Sequence, residues 1–178
     1  AATNALADFY HIPLSMGSFA TGAKEPNWQA GIENSLSTFM ASVAMSDMLL
    51  GIGLLNGSCI WSFEQMLMDC EIFSIVSKMM EGIVVNEVTL ALDVIRKVGP
   101  GKNFLTEKHT KEQMRDLWIS TYMDRRPYAL WEEKKDGARD WAQEKAKQIL
   151  KAHQRQALDS KLAEELKRIA EGFEKKAR

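Results

Sequence analysis

Between Ile12 and Glu71 two short, nearly continuous apolar runs alternate with two longer stretches of helical period. The first run is Ile12-Pro13-Leu14-Ser15-Met16-Gly17-Ser18-Phe19-Ala20. A polar turn, Thr21-Gly22-Ala23-Lys24-Glu25, follows it. Apolar residues then fall at Ile32, Leu36, Phe39, Met40, Val43, Ala44, Met48 and Leu49, a stripe of 3.6-residue period that predicts a helix buried along that face. Pro26 is placed to open this helix, where a missing N–H forfeits no intrahelical bond. The second run, Leu49 to Leu55, ends in Asn56-Gly57-Ser58, a turn signature. Ser62, with Gln65 three residues on, forms a capping box. The helix behind it is apolar almost all round, with Met66, Leu67, Met68, Cys70, Ile72, Phe73, Ile75, Val76, Met79 and Met80, which predicts a buried helix.

Two strand–helix repeats with such apolar strands predict parallel pairing, buried on both faces. The fold class is α/β, predominantly helical: a portion of a doubly wound sheet or of a TIM (β/α)8 barrel, neither of which two strands complete. Farther on, Asn86 is an N-cap for a helix carrying Val88, Leu92, Ile95 and Val98, stopped by Gly99-Pro100-Gly101. Thr110-Lys111-Glu112-Gln113 reads as a second capping box, opening a helix with Met114, Leu117, Trp118 and Tyr122. Asp124-Arg125-Arg126-Pro127 breaks the chain, and a helix restarts at Tyr128, is interrupted at Gly137 and resumes through Trp141 to Leu150. A last helix carries the narrow stripe Leu162, Leu166, Ile169, Phe173. Composition shifts near Gly99 from apolar and Met-rich to charged and amphipathic. Residues 1–98 therefore read as partial barrel wall and 99–178 as a helical C-terminal extension.

Composition narrows the function classes. With 178 residues and a net charge of -1, the chain has no electrostatic case for nucleic acid or for an anionic membrane surface. No apolar stretch is long enough to span a membrane. Ala1-Ala2-Thr3-Asn4 lacks Met and a basic leader region, and reads as the interior of a longer chain. Cys59 and Cys70 form no Cys-x-x-Cys, which points to a reduced, cytoplasmic protein with no sequence-local metal site. Two strands leave edges unpaired and apolar wall uncovered, so a homo-oligomer is expected.

In a barrel wall the reactive groups sit at the carboxyl ends of strands, here Gly17 to Lys24 and Gly53 to Trp61. Gly17, Ser18, Thr21, Asn56 and Ser58 would line that mouth. Glycines there allow backbone to approach a ligand, or serve as ordinary tight turns. Gln29 and Glu33, four apart on one helical face, either pair locally or reach back to the strand end. Phe19, Trp28 and Trp61 fall at or just beyond strand ends, where aromatic faces hold a quaternary ammonium or simply pack in the core. His11, His109 and His153 lie on three separate segments without a partner motif, and no phosphate loop or nucleophile elbow occurs. The residues by themselves identify no catalytic group.

A series of short blocks goes further: Gln29-Ala30-Gly31-Ile32-Glu33; Gly51-x-Gly53-x-Leu55 followed by Ser62-x-Glu64-Gln65-x-x-x-Asp69-x-Glu71-Ile72; Glu87-x-Thr89-Leu90-Ala91-Leu92-Asp93; Val98-Gly99-Pro100-Gly101 with Phe104-Leu105-Thr106-x-x-His109-Thr110; and Asp124-Arg125-Arg126-Pro127 with Trp131. In this order and spacing they resemble the carboxyl-terminal part of the trimethylamine methyltransferase family. The resemblance implies part of a TIM barrel. It implies methyl transfer from a methylated amine, trimethylamine or a quaternary amine such as glycine betaine, to the cobalt of a corrinoid carried by a separate corrinoid protein. The corrinoid would be held by that partner rather than by this chain, and the chain alone would be inactive. The family pattern carries acidic residues where this chain has Gly22 and near Asn56, departures that bear on the substrate. The alternatives are a non-catalytic helical docking or oligomerisation segment, and an amine-binding module.

Overall fold

The computed structural model describes residues 1–154 and 158–177. Contacts divide the chain into two compact units, one spanning Ala1–Ala146 and the other beginning at Lys147. Residues 99–146 thus pack with the preceding segment.

The first unit opens with helix α1 (Ala2–Tyr10), closed by His11 in the left-handed conformation. Strand β1 (Ser15–Gly17) pairs in parallel with β2 (Met48–Leu50), Ser15 opposite Met48 and Gly17 opposite Leu50. The predicted parallel pairing is present, over three residues. The described residues contain no closed barrel. A second, antiparallel pair joins β3 (Leu54–Leu55) to β4 (Ile60–Trp61) through the Asn56–Ser58 turn. The apolar run Leu49–Leu55 therefore divides into β2, a turn at Gly51–Gly53, and the first arm of a hairpin.

Two glycines in that turn are required by the chain's own packing. Gly51 lies at φ 105°, where a β-carbon would stand 3.0 Å from the Phe19 carbonyl oxygen. Gly53 lies at φ 84°, where it would stand 2.7 Å from Trp61 Nε1. Gly17, in contrast, faces open space.

Helix α2 spans Trp28–Val43. Asn27, rather than Pro26, governs its start: the Asn27 side chain accepts from the Ala30 N–H at 3.2 Å. It ends six residues before Leu49, because Met45 turns left-handed at φ 61° and Asp47 ties the chain to Leu14 N at 2.8 Å. The predicted buried stripe is misplaced. The buried residues are Ala30, Asn34, Thr38 and Ala41, whereas Ile32, Leu36, Met40 and Val43 are exposed. Both sets have helical spacing, and the polar set wins because it meets partners inside. Asn34 donates to Asp69, while Ser37 and Thr38 donate to the carbonyl of Ser18.

Helix α3 (Phe63–Met80) is capped as expected, the Ser62 hydroxyl accepting from Gln65 N at 3.1 Å. The Gln65 side chain does not return to the cap; it donates to Asp69. Although α3 is apolar nearly all round, only Gln65, Asp69, Glu71, Ile72 and Val76 are buried, and Phe73, Met79 and Met80 are exposed. The small apolar core joins Phe19, Ile72 and Val76, with Phe39, Leu49 and Ile52 against it.

Beyond Gly82 the expected single helix is two, α4 (Glu87–Leu90) and α5 (Leu92–Val98), broken where Ala91 turns left-handed at φ 49°. Asn86 caps as predicted, in a full capping box with Thr89. Thr110 caps nothing: α6 (Lys108–Gln113) starts from Glu107 and runs into a short 3-10 turn at Met114–Asp116. The predicted helix through Trp118 and Tyr122 is absent. That stretch is instead pinned to α3, where Glu71 Oε1 accepts from the Ser120 hydroxyl and from Thr121 N, and Trp118 Nε1 donates to Ser74. Arg126 grips Asp124 with two bonds, reaches Asp136 at 2.8 Å and lies 4.8 Å from the Trp141 ring centre. This knot fixes the break before α7 (Tyr128–Lys134) and α8 (Ala138–Ala152). In the second unit, α9 (Ser160–Ala177) exposes its stripe of Leu162, Leu166, Ile169 and Phe173. No described helix is long and apolar enough to cross a membrane.

Candidate functional site

The carboxyl ends of β1 and β2 lead into two turns that the chain fastens together. Asn56 N donates to Ala23 O at 2.7 Å, and Gly57 N donates to Thr21 O at 2.9 Å. Asn56, Gly57 and Ser58 all adopt positive φ, which aims these N–H groups across the gap. The Thr21–Lys24 turn is braced from within by Ala23 N on Thr21 Oγ1 at 3.0 Å. The two turns form one rim.

Helix α2 completes the rim with Glu33. Its Oε2 accepts from the Thr21 hydroxyl and, at 2.8 Å, from Gly22 N; its Oε1 accepts from Gln29 Nε2 at 2.9 Å. Both expectations for this pair hold at once: Gln29 and Glu33 pair locally, and Glu33 also reaches back to the strand end. The hydrogen bond from Thr21 is the main cause holding the Glu33 carboxyl below its ordinary range, followed by those from Gln29 and Gly22. Glu33 is exposed, so the rim presents a carboxylate that stays ionised at neutral pH. Lys24, which carries no signal in the sequence pattern, donates from Nζ to Gly22 O at 2.7 Å.

The other residues singled out from the sequence separate. Gly17 is exposed at the end of β1. Ser18 is buried; its carbonyl takes the Ser37 hydroxyl at 2.6 Å, and its own hydroxyl has no partner. Ser58 is exposed at the hairpin tip. Phe19 is fully buried in the core. Trp28 is 80% exposed and borders a cavity of about 300 Å3 between α2 and α3, alongside Ile32, Met68 and Tyr122. Trp61 packs edge-on against Phe63 and donates to Ile52 O at 3.3 Å. The three aromatics thus stand in three separate surroundings.

Behind the rim lies a buried polar cluster that the sequence did not announce. Asp69 Oδ1 accepts from Asn34 Nδ2 at 2.8 Å and Gln65 Nε2 at 2.7 Å, and Oδ2 accepts from Gly53 N at 2.8 Å. Burial raises the Asp69 pKa, and these three donors oppose the rise. The cluster ties α2, α3 and the Gly51–Gly53 turn at one carboxylate. Gln65 and Asp69 stand four apart on α3 and both fall in the Ser62–Ile72 block of the family resemblance, which assigns them no role.

Chemically, the rim exposes the Glu33 carboxylate, the Lys24 ammonium and Ser58, while the Thr21 hydroxyl is fully buried and, like Gly22 N, is spent on Glu33. Comparison with known proteins agrees with a shared ancestry. The family model described as trimethylamine methyltransferase (MTTB) matches residues 1–175. Trimethylamine methyltransferase MttB of Methanosarcina barkeri is 34% identical over 178 residues, covering 98% of this chain and 36% of that protein. MttB of Desulfitobacterium hafniense (strain DSM 10664 / DCB-2) is 34% identical over 95% of this chain and 34% of its own length. The glycine betaine methyltransferase of Desulfitobacterium hafniense (strain Y51) is 34% identical over 88% of this chain and 33% of its own. The chain spans about a third of the length of these relatives. With a family match over nearly all of its residues, the chain belongs to the trimethylamine methyltransferase family.

Proposed function

We propose that this chain is part of an enzyme that takes a methyl group from a methylated amine, trimethylamine or a quaternary amine, and delivers it to the cobalt of a corrinoid on a separate protein. The observation that carries the reading is the family membership, with both trimethylamine and glycine betaine methyltransferases among the similar proteins. On this reading β1, β2 and their helices are one sector of a (β/α)8 barrel, and the joined rim lies at its active face. A cytoplasmic setting and self-association of the assembled protein belong to the same proposal.

A reduced corrinoid carried by the partner protein would supply the electron pair that takes up the methyl group, with the amine nitrogen retaining the pair of the carbon–nitrogen bond. What remains for this chain is holding and orienting the amine. A methylated ammonium carries its charge on the nitrogen and its attached carbons, and the ionised Glu33 faces the rim with opposite sign. That charge on nitrogen falls as the bond breaks, so a carboxylate favours the bound substrate over the transition state. Glu33 therefore serves uptake and orientation rather than the chemical step. Thr21 and Gln29 fix the carboxylate, and the Asp69 cluster fixes the Gly51–Gly53 turn next to it.

The test is methyl transfer by the intact protein with a reduced corrinoid protein, followed by cobalt absorbance, over a panel of trimethylamine, glycine betaine and other quaternary amines. Transfer from at least one is expected. A folded protein that transfers from none overturns the reading.

A further inference from the structure

We infer that the cavity between α2 and α3 binds an uncharged aromatic molecule of bicyclic size, carrying one N–H or O–H donor that the Gln65 side chain accepts. The site is separate from the rim: Thr21, Gly22, Lys24 and Glu33 are not among the residues that line it. The inference therefore stands apart from the methyl-transfer reading above.

The cavity runs inward from the surface, since its lining grades from Trp28, 80% exposed, to Gln65, 1% exposed. Gln65 has a fixed orientation there. Its Nε2 donates to Asp69 at 2.7 Å, and a carboxylate takes only the nitrogen side of an amide, so Oε1 faces away from Asp69. That oxygen is buried and has no hydrogen-bond partner among the described residues. A buried acceptor without a donor carries a desolvation cost that a ligand's N–H or O–H removes. Gly31 is an independent sign. It lies inside α2, its N–H bonded to Asn27 O at 3.1 Å, where glycine is a poorer helix former than alanine. No described neighbour requires it, because a β-carbon there would meet nothing within 4 Å. Gly31 lines the same cavity, so the missing side chain keeps space open against the α2 backbone.

The lining sets the chemistry of the ligand. Trp28, Met68 and Tyr122 supply two aromatic rings and a thioether, groups that pack well against a ring. An apolar cavity of about 150 Å3 holds benzene, so one of about 300 Å3 takes a fused bicycle. Glu71 is buried and also lines the cavity. Its Oε1 accepts from the Ser120 hydroxyl, Thr121 N and Tyr122 N, so the protein itself already meets the carboxylate. That carboxylate seats no cation, and it works against an anionic ligand.

The test is calorimetric titration of the intact protein with indole, 1-methylindole and indole-3-acetate, for wild type, Gly31→Leu and Trp28→Ala, each checked for folding by its melting temperature. Wild type should bind indole on the order of tenfold tighter than 1-methylindole, which lacks the N–H, the scale of one hydrogen bond to a buried acceptor. Indole-3-acetate should bind more weakly than indole. Gly31→Leu places a side chain in the open space and should weaken indole roughly tenfold or more without lowering the melting temperature. Trp28→Ala should weaken indole on the order of fivefold, the scale of one aromatic pair. No indole binding by wild type, equal affinity for indole and 1-methylindole, tighter binding of indole-3-acetate, or a folded Gly31→Leu protein with unchanged indole affinity each overturns the inference. If Gly31→Leu does not fold, Trp28→Ala decides the location, and an unchanged indole affinity there overturns it equally.

Discussion

Asp69 is the residue on which the local structure depends most. One buried carboxylate receives Gly53 N, Asn34 and Gln65, and truncating it strands three donors in the interior. Each stranded group costs about 1–3 kcal/mol, so Asp69→Ala should lower stability by about 3–5 kcal/mol in chemical denaturation. A loss below about 1 kcal/mol would show that the cluster holds nothing together. Gly53→Ala should cost about 1–3 kcal/mol by the same measurement, because the added methyl meets Trp61 at a strained φ. Glu33 gives a pH prediction of definite sign. Its folded pKa lies below the ordinary 4.5, so the stability it contributes is complete above that value and is lost as pH falls through the lowered one. Denaturation series between neutral pH and pH ~3 should show an acid-limb loss in wild type that Glu33→Gln lacks. An identical acid limb in both would mean that the Thr21 and Gly22 bonds do not persist in solution. The reach of Glu33 was open to sequence reasoning through its i, i+4 spacing from Gln29. Lys24 was not, since a lysine in a turn ordinarily reads as solvated surface.

At the scale of elements, the hydrophobic pattern located most helices and misjudged which faces they bury. α2 carries two stripes of helical period, one apolar and one made of Ala30, Asn34, Thr38 and Ala41. Periodicity alone ranks the apolar stripe as the inner one. The structure reverses this because Asn34 and Thr38 find partners on Asp69 and Ser18, contacts between residues 20 or more positions apart. The boundary errors share a cause. Ala91 and Met45 adopt left-handed conformations, which neither residue type signals, so α5 begins anew and α2 stops short. Ser62, Asn86 and Gly99 were legible because capping and stopping are local chemistry. The aromatic candidates can be told apart by stability. Phe19→Ala should cost about 3–5 kcal/mol, because it empties a fully buried site. Trp28→Ala, at a side chain 80% exposed, should leave the denaturation midpoint nearly unchanged. Equal losses at the two positions would contradict the burial described.

For the whole molecule, the main physical fact is incompleteness of cover. β1 and β2 make a two-stranded sheet, so each has an unpaired edge among the described residues. Leu36, Met40, Val43, Phe73 and Met79 are exposed on the helices beside it. Edges and apolar surface of this kind associate. The 178-residue chain by itself should therefore sediment as a self-associating species, and a clean monomer at micromolar concentration would argue that the exposed faces are tolerated in water. Family membership and the parallel β1–β2 pair were legible in the sequence; the hairpin at Leu54–Trp61 and the fastening of the two turns were not, because both depend on a few backbone bonds with no residue signature.

The rim as the substrate end of a methylated-amine methyltransferase is the central claim, and steady-state methyl transfer by the intact Glu33→Gln protein tests it most directly. The expected result is a KM for the amine raised on the order of tenfold, with kcat unchanged or somewhat raised and the protein still folded at neutral pH apart from the small stability loss expected from the linkage above, since Glu33 holds the bound cation without assisting the chemical step. An unchanged KM in a folded variant would contradict the placement of substrate at this rim, and a loss confined to kcat would contradict the role assigned to Glu33.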